Sequence, residues 1–419
     1  MTSPVRFVHA ADLHLDAPFQ GIAAADSRIG GQLADATYTA FRRIIDVCIE
    51  REVAFLVIAG DAYNSADKSL RAQLRFRAEM ERLAEADIEV FIASGNHDPQ
   101  SGWSAGLVMP DNVHVFSAKQ VERFEVERGG EVVAAVYGRS FARAAETDNL
   151  ALGYKRGAGD PVAIGVLHAN VGGNPDYDPY APASLEDLRA SGIDYWALGH
   201  IHKQEVLAQN PWIVYSGSPQ GLNPKETGPH GCLVVELGAH GAATLEHVET
   251  GPVTWARLEV DVSGASGLEE ARALLVEALD TQRATAGRQC VARVALIGRS
   301  LAHADLARPG IAEQLFEDVR AESALAEPWL WLDRLDDRTA PPIDLDALRG
   351  GPDFAAELVR IADDLAANPT ELQALIAEVA TPIAATLAGF ELSSAPDDLL
   401  ERARDAALDL LLVQGGDVR

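Results

Sequence analysis

The chain has 419 residues, which is too many for one typical domain, so two or three domains are expected. Its net charge of −28 argues against strong unaided binding to nucleic acid, because proteins that bind nucleic acid through their own surface are usually basic. Three widely spaced cysteines argue against a disulfide framework, and the sequence shows neither a signal peptide nor an apolar stretch of membrane-spanning length. We therefore expect a cytoplasmic protein without membrane contact.

Five short apolar runs each end at, or just before, polar side chains that can bind a metal ion, and we predict a buried strand for each. These runs are residues 5–10, 53–59, 88–93, 162–167 and 195–198. Helical spacing predicts helices at residues 33–51 and 69–86. Open α/β sheets place their sites at the carboxyl ends of strands, so the polar side chains are expected to converge. They are Asp12, His14, Asp61, Asn96, His97, Asp98, His168, His200 and His202.

The remaining patterns divide the chain into three parts. A loop rich in Gly and Pro at 172–182 follows His168, and a hairpin closes the first part near residue 250. Residues 256–300 contain two strand-like runs around a helix, and the chain after Pro341 is helical and acidic. We predict an α/β domain at 1–250, a small α+β domain at 251–340 and an acidic helical region at 341–419 that is a candidate partner-binding segment.

Carboxylate, imidazole and amide groups together form the mixed ligand set that divalent transition metals prefer, and Asp61 is placed to bridge two ions. Two ions about 3.5–4 Å apart lower the pKa of a bridging water, so the predicted reaction is phosphoester hydrolysis by that water. His97 is the predicted proton donor to the leaving oxygen, with Asp98 orienting its other ring nitrogen. Taken singly, each motif also fits a strand-end turn or a buried structural histidine. Together and in this order, they favour a metal site.

The motif series resembles the calcineurin-like metallophosphoesterase superfamily. Longer segments at 9–16, 194–203 and 215–228 are similar to its DNA repair exonuclease branch, which is SbcD-like, and are closest to YhaO-type proteins. The resemblance implies a four-layer αββα sandwich with the second domain as a cap. It also implies two divalent metal ions, with Mn²⁺ as the expected metal and Zn²⁺, Fe²⁺ or Mg²⁺ as alternatives.

The resemblance further implies how the ligands divide between the two ions. One ion would be held by Asp12, His14, Asp61 and His202. The other would be held by Asp61, Asn96, His168 and His200. It implies a homodimer, for which the helix at 69–86 is the candidate interface, and an SMC-like coiled-coil ATPase partner, for which the acidic C-terminal region is the candidate contact.

One position departs from this branch. Asn64 stands where many of its nucleases carry a histidine that contacts the substrate phosphate. An amide can hydrogen-bond a phosphate oxygen, but it cannot carry charge or donate a proton to the leaving group. Asn64 is therefore the predicted phosphate contact, and the departure leaves the strength of the activity and the nature of the substrate open.

The predicted function is that of a metal-dependent DNA nuclease subunit that acts with an SMC-like ATPase in DNA repair. A small-molecule phosphodiesterase or nucleotidase stays open, because the same metal ligands serve both kinds of substrate. A non-catalytic scaffold for the ATPase also stays open because of Asn64 and the net charge, although no ligand of the set is missing.

Overall fold

The computed structural model describes residues 4–19, 22, 27–102, 105–238, 241–380 and 396–413. It divides into two compact units. The first contains Met1–Ala256 and Arg288–Cys290, and the second contains Arg257–Gly287 and Val291–Arg419. Parts of the predicted helical region, residues 381–395 and 414–419, lie outside the described residues.

The first unit is a mixed α/β structure with helices α1 (Ser27–Glu50), α2 (Leu70–Glu85) and α3 (Leu185–Ala190) and a short 3₁₀ helix at Leu150–Gly153. Its strands are β1 (Val5–Ala10), β2 (Phe55–Ala59), β3 (Glu89–Ala93), β4 (Val113–Val115), β5 (Glu122–Arg128), β6 (Glu131–Gly138), β7 (Ala163–His168), β8 (Tyr195–Gly199), β9 (Glu205–Gln209), β10 (Trp212–Tyr215), β11 (Gly231–Leu237) and β12 (Ala243–Glu249). Within the described residues they form two six-stranded sheets, in the orders β12-β11-β1-β2-β3-β4 and β5-β6-β7-β8-β10-β9. The strands from β1 to β4 pair in parallel, as do β6, β7, β8 and β10.

Three hydrophobic cores separate four layers in this unit. Successive side chains of a strand point to opposite faces of its sheet. Val8 of β1 therefore packs in the core that α1 and α2 cover, whereas Phe7 packs in the core between the two sheets. In β8, Tyr195 lies in the core between the sheets and Trp196 lies in the third core, which α3 covers. This alternation gives the helix–sheet–sheet–helix sandwich and confirms the predicted fold class.

The predicted strands that carry the polar motifs are confirmed, with ends that differ by at most two residues. Helix α1 begins at Ser27, six residues before the predicted start at residue 33. Helix α2 begins where predicted, because the side chain of Ser69 accepts a hydrogen bond from the amide of Ala72 and caps the helix. The motif-bearing strands are divided between the sheets, with β1, β2 and β3 in one and β7 and β8 in the other.

The second unit contains most of a three-stranded sheet in the order β13-β14-β15, with a helical region after it. The strands are β13 (Val253–Asp261), β14 (Gln289–Arg299) and β15 (Leu330–Ala340). The helices are α4 (Leu268–Ala286), α5 (His303–Leu306), α6 (Ile311–Leu325), α7 (Leu345–Arg349), α8 (Phe354–Ala367), α9 (Pro369–Ala380) and α10 (Pro396–Leu408), followed by a π-helical turn at Asp409–Val413. No helix among the described residues is both long and apolar enough to cross a membrane.

A fully buried histidine connects the two sheets just below the polar motifs. The Nδ1 atom of His9, in β1, accepts a hydrogen bond from the Tyr195 hydroxyl at 3.0 Å, and its Nε2–H donates to the Leu198 carbonyl at 3.1 Å. Burial lowers the pKa of His9 to about 3, so the ring is neutral and has one donor and one acceptor nitrogen. Both nitrogens are thus paired, and the end of β1 is fixed to the end of β8.

We expect Tyr195→Phe to lower the free energy of unfolding by about 1–3 kcal/mol, because the buried Nδ1 of His9 would lose its donor. In a His9→Phe background the acceptor is already absent, so the same change should cost less. Urea unfolding of the four proteins of this double-mutant cycle measures the coupling. An equal cost in both backgrounds would show that the hydroxyl does not hold the ring.

Candidate metal centre

The predicted metal ligands converge where the carboxyl ends of strands from both sheets meet. Asp12 and His14 follow β1, Asp61 follows β2 and Asn96 follows β3. His168 ends β7, and its Nδ1–H donates to the carbonyl of Ala59, the last residue of β2 in the other sheet, at 3.0 Å. Two sheets therefore supply ligands to one place.

The backbone at these positions adopts a conformation that residues other than glycine rarely use. Positive φ angles occur at Asp12 (52°), His14 (43°), Asp61 (50°) and His200 (99°). Such residues cost on the order of 1–3 kcal/mol each and persist where the surroundings fix them. Here the amide of Asp12 donates to the Gly60 carbonyl, and the amide of His200 donates to the Asp12 carboxylate. Strain is concentrated where the side chains must converge, as is typical of a functional site.

Two motif glycines leave the space that the ligands occupy. A Cβ atom on Gly60 would lie 2.2 Å from Nδ1 of His168, and one on Gly95 would lie 2.3 Å from an Asp61 carboxylate oxygen. Both distances are well below van der Waals contact, so a side chain at either position would displace a ligand. The glycines of the Gly-Asp and Gly-Asn motifs are thus required by the packing of the ligands themselves.

One group of ligand atoms forms around His14. Its Nε2 atom lies 3.1 Å from Nε2 of His202 and 3.9 Å from a carboxylate oxygen of Asp61. Asp12, His14 and His202 each offer a ligand atom, and these atoms lie within 4.8 Å of one another. His202 donates from Nδ1 to Glu226 at 2.8 Å, which leaves its Nε2 facing the group.

A second group forms around His168. Its Nε2 atom lies 2.9 Å from the side-chain oxygen of Asn96 and 3.4 Å from Asp61 Oδ2. The ring of His200 lies 5.1 Å from that of His168, centroid to centroid. The same Asp61 oxygen is close to both His14 and His168, so Asp61 lies between the two groups, where a bridging ligand would stand.

The charges at this site are not balanced by the protein alone. Burial raises the pKa of Asp12 to about 8 and also raises that of Asp61. Burial by itself would lower the pKa of His202, but its hydrogen bond to Glu226 and the charge of Asp12 outweigh this effect and raise the pKa to about 9. The site holds protons that exposed groups would release, because ionised carboxylates need positive charge there.

The residues present fit divalent metal ions. Burial lowers the pKa of His168 to about 3, so the ring is neutral, and its Nδ1–H is already donated to Ala59. Its Nε2 lone pair therefore faces the oxygens of Asn96 and Asp61, which are also acceptors. A cation among these three atoms would convert their repulsion into ligation. Carboxylate, amide and imidazole donors together suit divalent transition metals.

His97 lies beside this centre, but its ring has a different partner from the one predicted. Its Nδ1–H donates to the backbone carbonyl of Asn64 at 2.9 Å. The carboxylate of Asp98 is buried and accepts hydrogen bonds from the amides of Ala62 at 2.9 Å and Gly95 at 2.7 Å. The prediction that Asp98 orients the His97 ring is therefore wrong. Asp98 instead ties the loop after β2 to the loop after β3, and burial raises its pKa to about 6.

Comparisons with known proteins agree with this chemistry. The calcineurin-like phosphoesterase family matches residues 5–204, and the family described as the middle domain of metallophosphoesterase YhaO matches residues 255–340. The uncharacterized metallophosphoesterase YhaO of Bacillus subtilis is 35% identical to the chain over 84% of this chain and 86% of its own length. The chain belongs to the calcineurin-like metallophosphoesterases.

More distant relatives of this metallophosphoesterase are named DNA double-strand break repair protein Mre11. The protein from Methanopyrus kandleri is 26% identical over 64% of this chain and 62% of its own length. The protein from Haloferax volcanii is 27% identical over 64% of this chain and 57% of its own length. The chain therefore spans less than two thirds of the length of these two relatives.

The sequence did not single out several residues that complete the metallophosphoesterase site. Glu226 contacts His202, but 24 residues separate the two in the chain, so the motif around His202 did not indicate this partner. The only sequence indication for Glu226 was its place in the segment 215–228. The carbonyl of Asp178 accepts from His200, and a backbone partner leaves no mark in a sequence. Tyr177 packs edge-on against the His200 ring from the loop at 172–182, which follows His168 in the chain.

We expect Gly60→Ala to abolish metal binding while the sheets remain folded, because its Cβ would displace His168. Gly159→Ala is a matched control. Gly159 has φ of 92°, nearly the 93° of Gly60, but an added Cβ there meets nothing within 4 Å. Both variants carry similar backbone strain, so a difference in their metal binding would come from the displaced ligand His168. Calorimetric titration with Mn²⁺, beside circular dichroism, tests this, and equal metal affinity in the two variants would contradict it.

We also expect the metal-free protein to lose thermal stability as the pH rises from about 6 to about 9. The pKa of His202 is raised from 6.5 to about 9, so its contribution is present at low pH and is lost as the pH approaches 9. The pKa of Asp12 is raised from 3.8 to about 8, so its contribution lowers stability as the pH rises from about 4 to about 8, which overlaps the lower part of this range. A bound divalent ion should remove most of this dependence.

Scanning calorimetry in chelator and in excess Mn²⁺ measures both curves. Asp12→Asn is the control, because it removes one of the two titrating groups and should flatten the chelator curve. A melting temperature that rises with pH in chelator would contradict the assignment.

Proposed function

We propose that this metallophosphoesterase is a DNA nuclease subunit that hydrolyses phosphodiester bonds with two divalent ions, Mn²⁺ being the expected metal. The observation that carries the proposal is the position of Asp61 between two groups of histidine nitrogens, at 3.9 Å from His14 and 3.4 Å from His168. Similarity to proteins named for DNA double-strand break repair supports DNA as the substrate.

The proposed ligands form two groups, one for each ion beside the reacting phosphate. One group of ligands is Asp12, His14 and His202, the other is Asn96, His168 and His200, and Asp61 is common to both. When bound, paired divalent ions polarise phosphate oxygens and lower the pKa of a water molecule, which makes it a nucleophile at neutral pH.

His97 supplies the proton that the leaving oxygen needs. Its side chain is exposed at the edge of the centre, and its ring lies 4.7 Å from that of His14, centroid to centroid. Because Nδ1 donates to the Asn64 carbonyl, Nε2 is the ring nitrogen that can give a proton to the leaving oxygen. After that transfer, the ring remains neutral with the Nδ1 bond intact.

The loop that carries Asn64 also carries a positive charge. The Lys68 ammonium lies 5.3 Å from the centroid of the Tyr63 ring, and its charge acts on Asp98. Asn64 can donate a hydrogen bond to a phosphate oxygen, but it cannot neutralise that oxygen. Lys68 offers a cation close to the same loop, which reduces the consequence of the missing histidine.

The partners remain part of the proposal. Leu70 and Leu74 lie one turn apart on α2 and are 52% and 49% exposed, which supports this helix as a homodimer interface. Leu410, Leu411 and Leu412 are exposed at the end of the acidic helical region, which supports a contact with the SMC-like ATPase. Light scattering of the purified chain, alone and with an SMC-like ATPase, tests both parts. If the chain is a monomer alone and does not bind the ATPase, both the homodimer and the ATPase contact are wrong.

We expect the purified chain with Mn²⁺ to cleave labelled linear DNA and to hydrolyse bis-p-nitrophenyl phosphate. His97→Ala should slow DNA cleavage about 10²–10⁴-fold, because the leaving alkoxide needs a proton. It should slow the ester much less, because nitrophenolate departs without one. His114→Ala is the control, since His114 lies on β4 and pairs with Glu89 of β3, away from the ligands. Product formation on both substrates measures the effect.

Each other outcome selects a different function. Turnover of the ester without DNA cleavage, unchanged after addition of the ATPase, would indicate a small-molecule phosphodiesterase. Absence of turnover on both substrates, in protein that binds metal, would indicate a scaffold. An equal effect of His97→Ala on both substrates would reject its role as proton donor.

A further inference from the structure

The two histidines of the motif at 199–202 have partners of different kinds. His202 donates from Nδ1 to the Glu226 carboxylate at 2.8 Å, whereas His200 donates from Nε2 to the Asp178 carbonyl at 2.8 Å. A ring nitrogen that donates its proton to a partner is not available to a metal ion. His202 is therefore left with Nε2 and His200 with Nδ1, so two neighbouring ligands of one type present different atoms.

Glu226 is held in the orientation that His202 requires. One of its oxygens accepts from the amide of Leu222 at 2.7 Å, and the other, which faces His202, also accepts from the side chain of Asn223 at 2.6 Å. Its side chain is only 12% exposed. Because its own loop fixes the carboxylate, Glu226 fixes the direction of the His202 ring rather than following it.

Asn170 has the corresponding role for His200. It is buried two residues after the ligand His168, and its Nδ2 donates to the carbonyls of Asn174 at 2.9 Å and Asp178 at 3.3 Å. Its Oδ1 accepts from the amide of Asn174 at 2.8 Å. One side chain therefore holds the loop at 172–182 in place, including the carbonyl on which His200 depends.

We propose that Glu226 and Asn170 are positioning residues of the metal centre, each acting on a different ion. Glu226 acts through His202 on the ion nearest His14, because the Nε2 atoms of these two histidines lie 3.1 Å apart. Asn170 acts through the loop and His200 on the ion nearest His168, whose ring lies beside that of His200. The inference rests on the two-ion chemistry of the proposed function.

The test titrates the full, chelator-treated chain with Mn²⁺ in a calorimeter. Glu226→Gln and Asn170→Ala should each lower the affinity for one of the two ions about 10–100-fold, as the loss of a partner that orients a metal ligand usually does. In a His200→Ala background, in which we expect the second ion to be lost, Glu226→Gln should still weaken the binding of the remaining ion. Asn170→Ala should have no further effect in that background.

Two control variants separate positioning from folding. Glu205→Gln makes the same charge change at an exposed position on β9. Asn149→Ala removes another amide that holds backbone, since Asn149 accepts from the amide of Ala151 at 3.1 Å. Both controls should keep the metal affinity of the unchanged protein. Asn149→Ala should lower the melting temperature without changing metal affinity.

A second readout does not depend on any variant. Nitrogen-15 spectra of the Zn²⁺-loaded chain should show the metal on Nε2 of His202 and on Nδ1 of His200. The opposite nitrogen at either histidine would overturn the inference, as would variants that bind two ions with unchanged affinity or that weaken both ions equally. A wild-type chain that binds no metal would instead refute the proposed function.

Discussion

Carboxylates buried where two sheets meet are the constraint on which this structure depends. Asp12 and Asp61 are almost completely buried where the strands of two sheets end, and burial raises the pKa of each. Removing such groups from water costs several kcal/mol per charge unless a cation compensates it. The surrounding features all bring acceptor atoms close enough together to bind the same cation. Gly60 leaves room for the His168 ring, and positive φ angles turn the ligand side chains toward one another. Hydrogen bonds from one ring nitrogen to other residues fix the ring orientations of His168, His200 and His202.

Such a site needs two sheets held in a fixed alignment. Ligands from β1, β2 and β3 must meet those from β7 and β8 within a few ångströms, yet within the described residues these strands belong to two separate sheets. Packing between apolar faces is non-directional and tolerates small shifts. The two hydrogen bonds of His9 to Tyr195 and Leu198 are directional, and they lie just below the ligands. His9 therefore contributes alignment that the core alone would not specify.

The order of the motifs made the ligands predictable, because each follows an apolar run and the carboxyl ends of strands carry sites in α/β folds. The residue patterns could not assign these strands to two sheets, since buried strands of either sheet have the same apolar composition. Nor could the sequence predict partners that act through the backbone, such as the Asn64 carbonyl on His97. The prediction for Asp98 failed for this reason, because adjacency in sequence was taken for contact in space.

The net charge of −28 is compatible with phosphodiester binding once the range of electrostatic forces is considered. At physiological salt, charges on the surface act over about 8–10 Å, so only charges within that distance of the site affect it strongly. Divalent ions held at the centre would be the largest charges within that distance, and they are positive. Attraction for a polyanion is then local and depends on the metal. An extended contact with DNA requires further positive surface, which this chain does not supply by its overall charge and which a basic partner would provide.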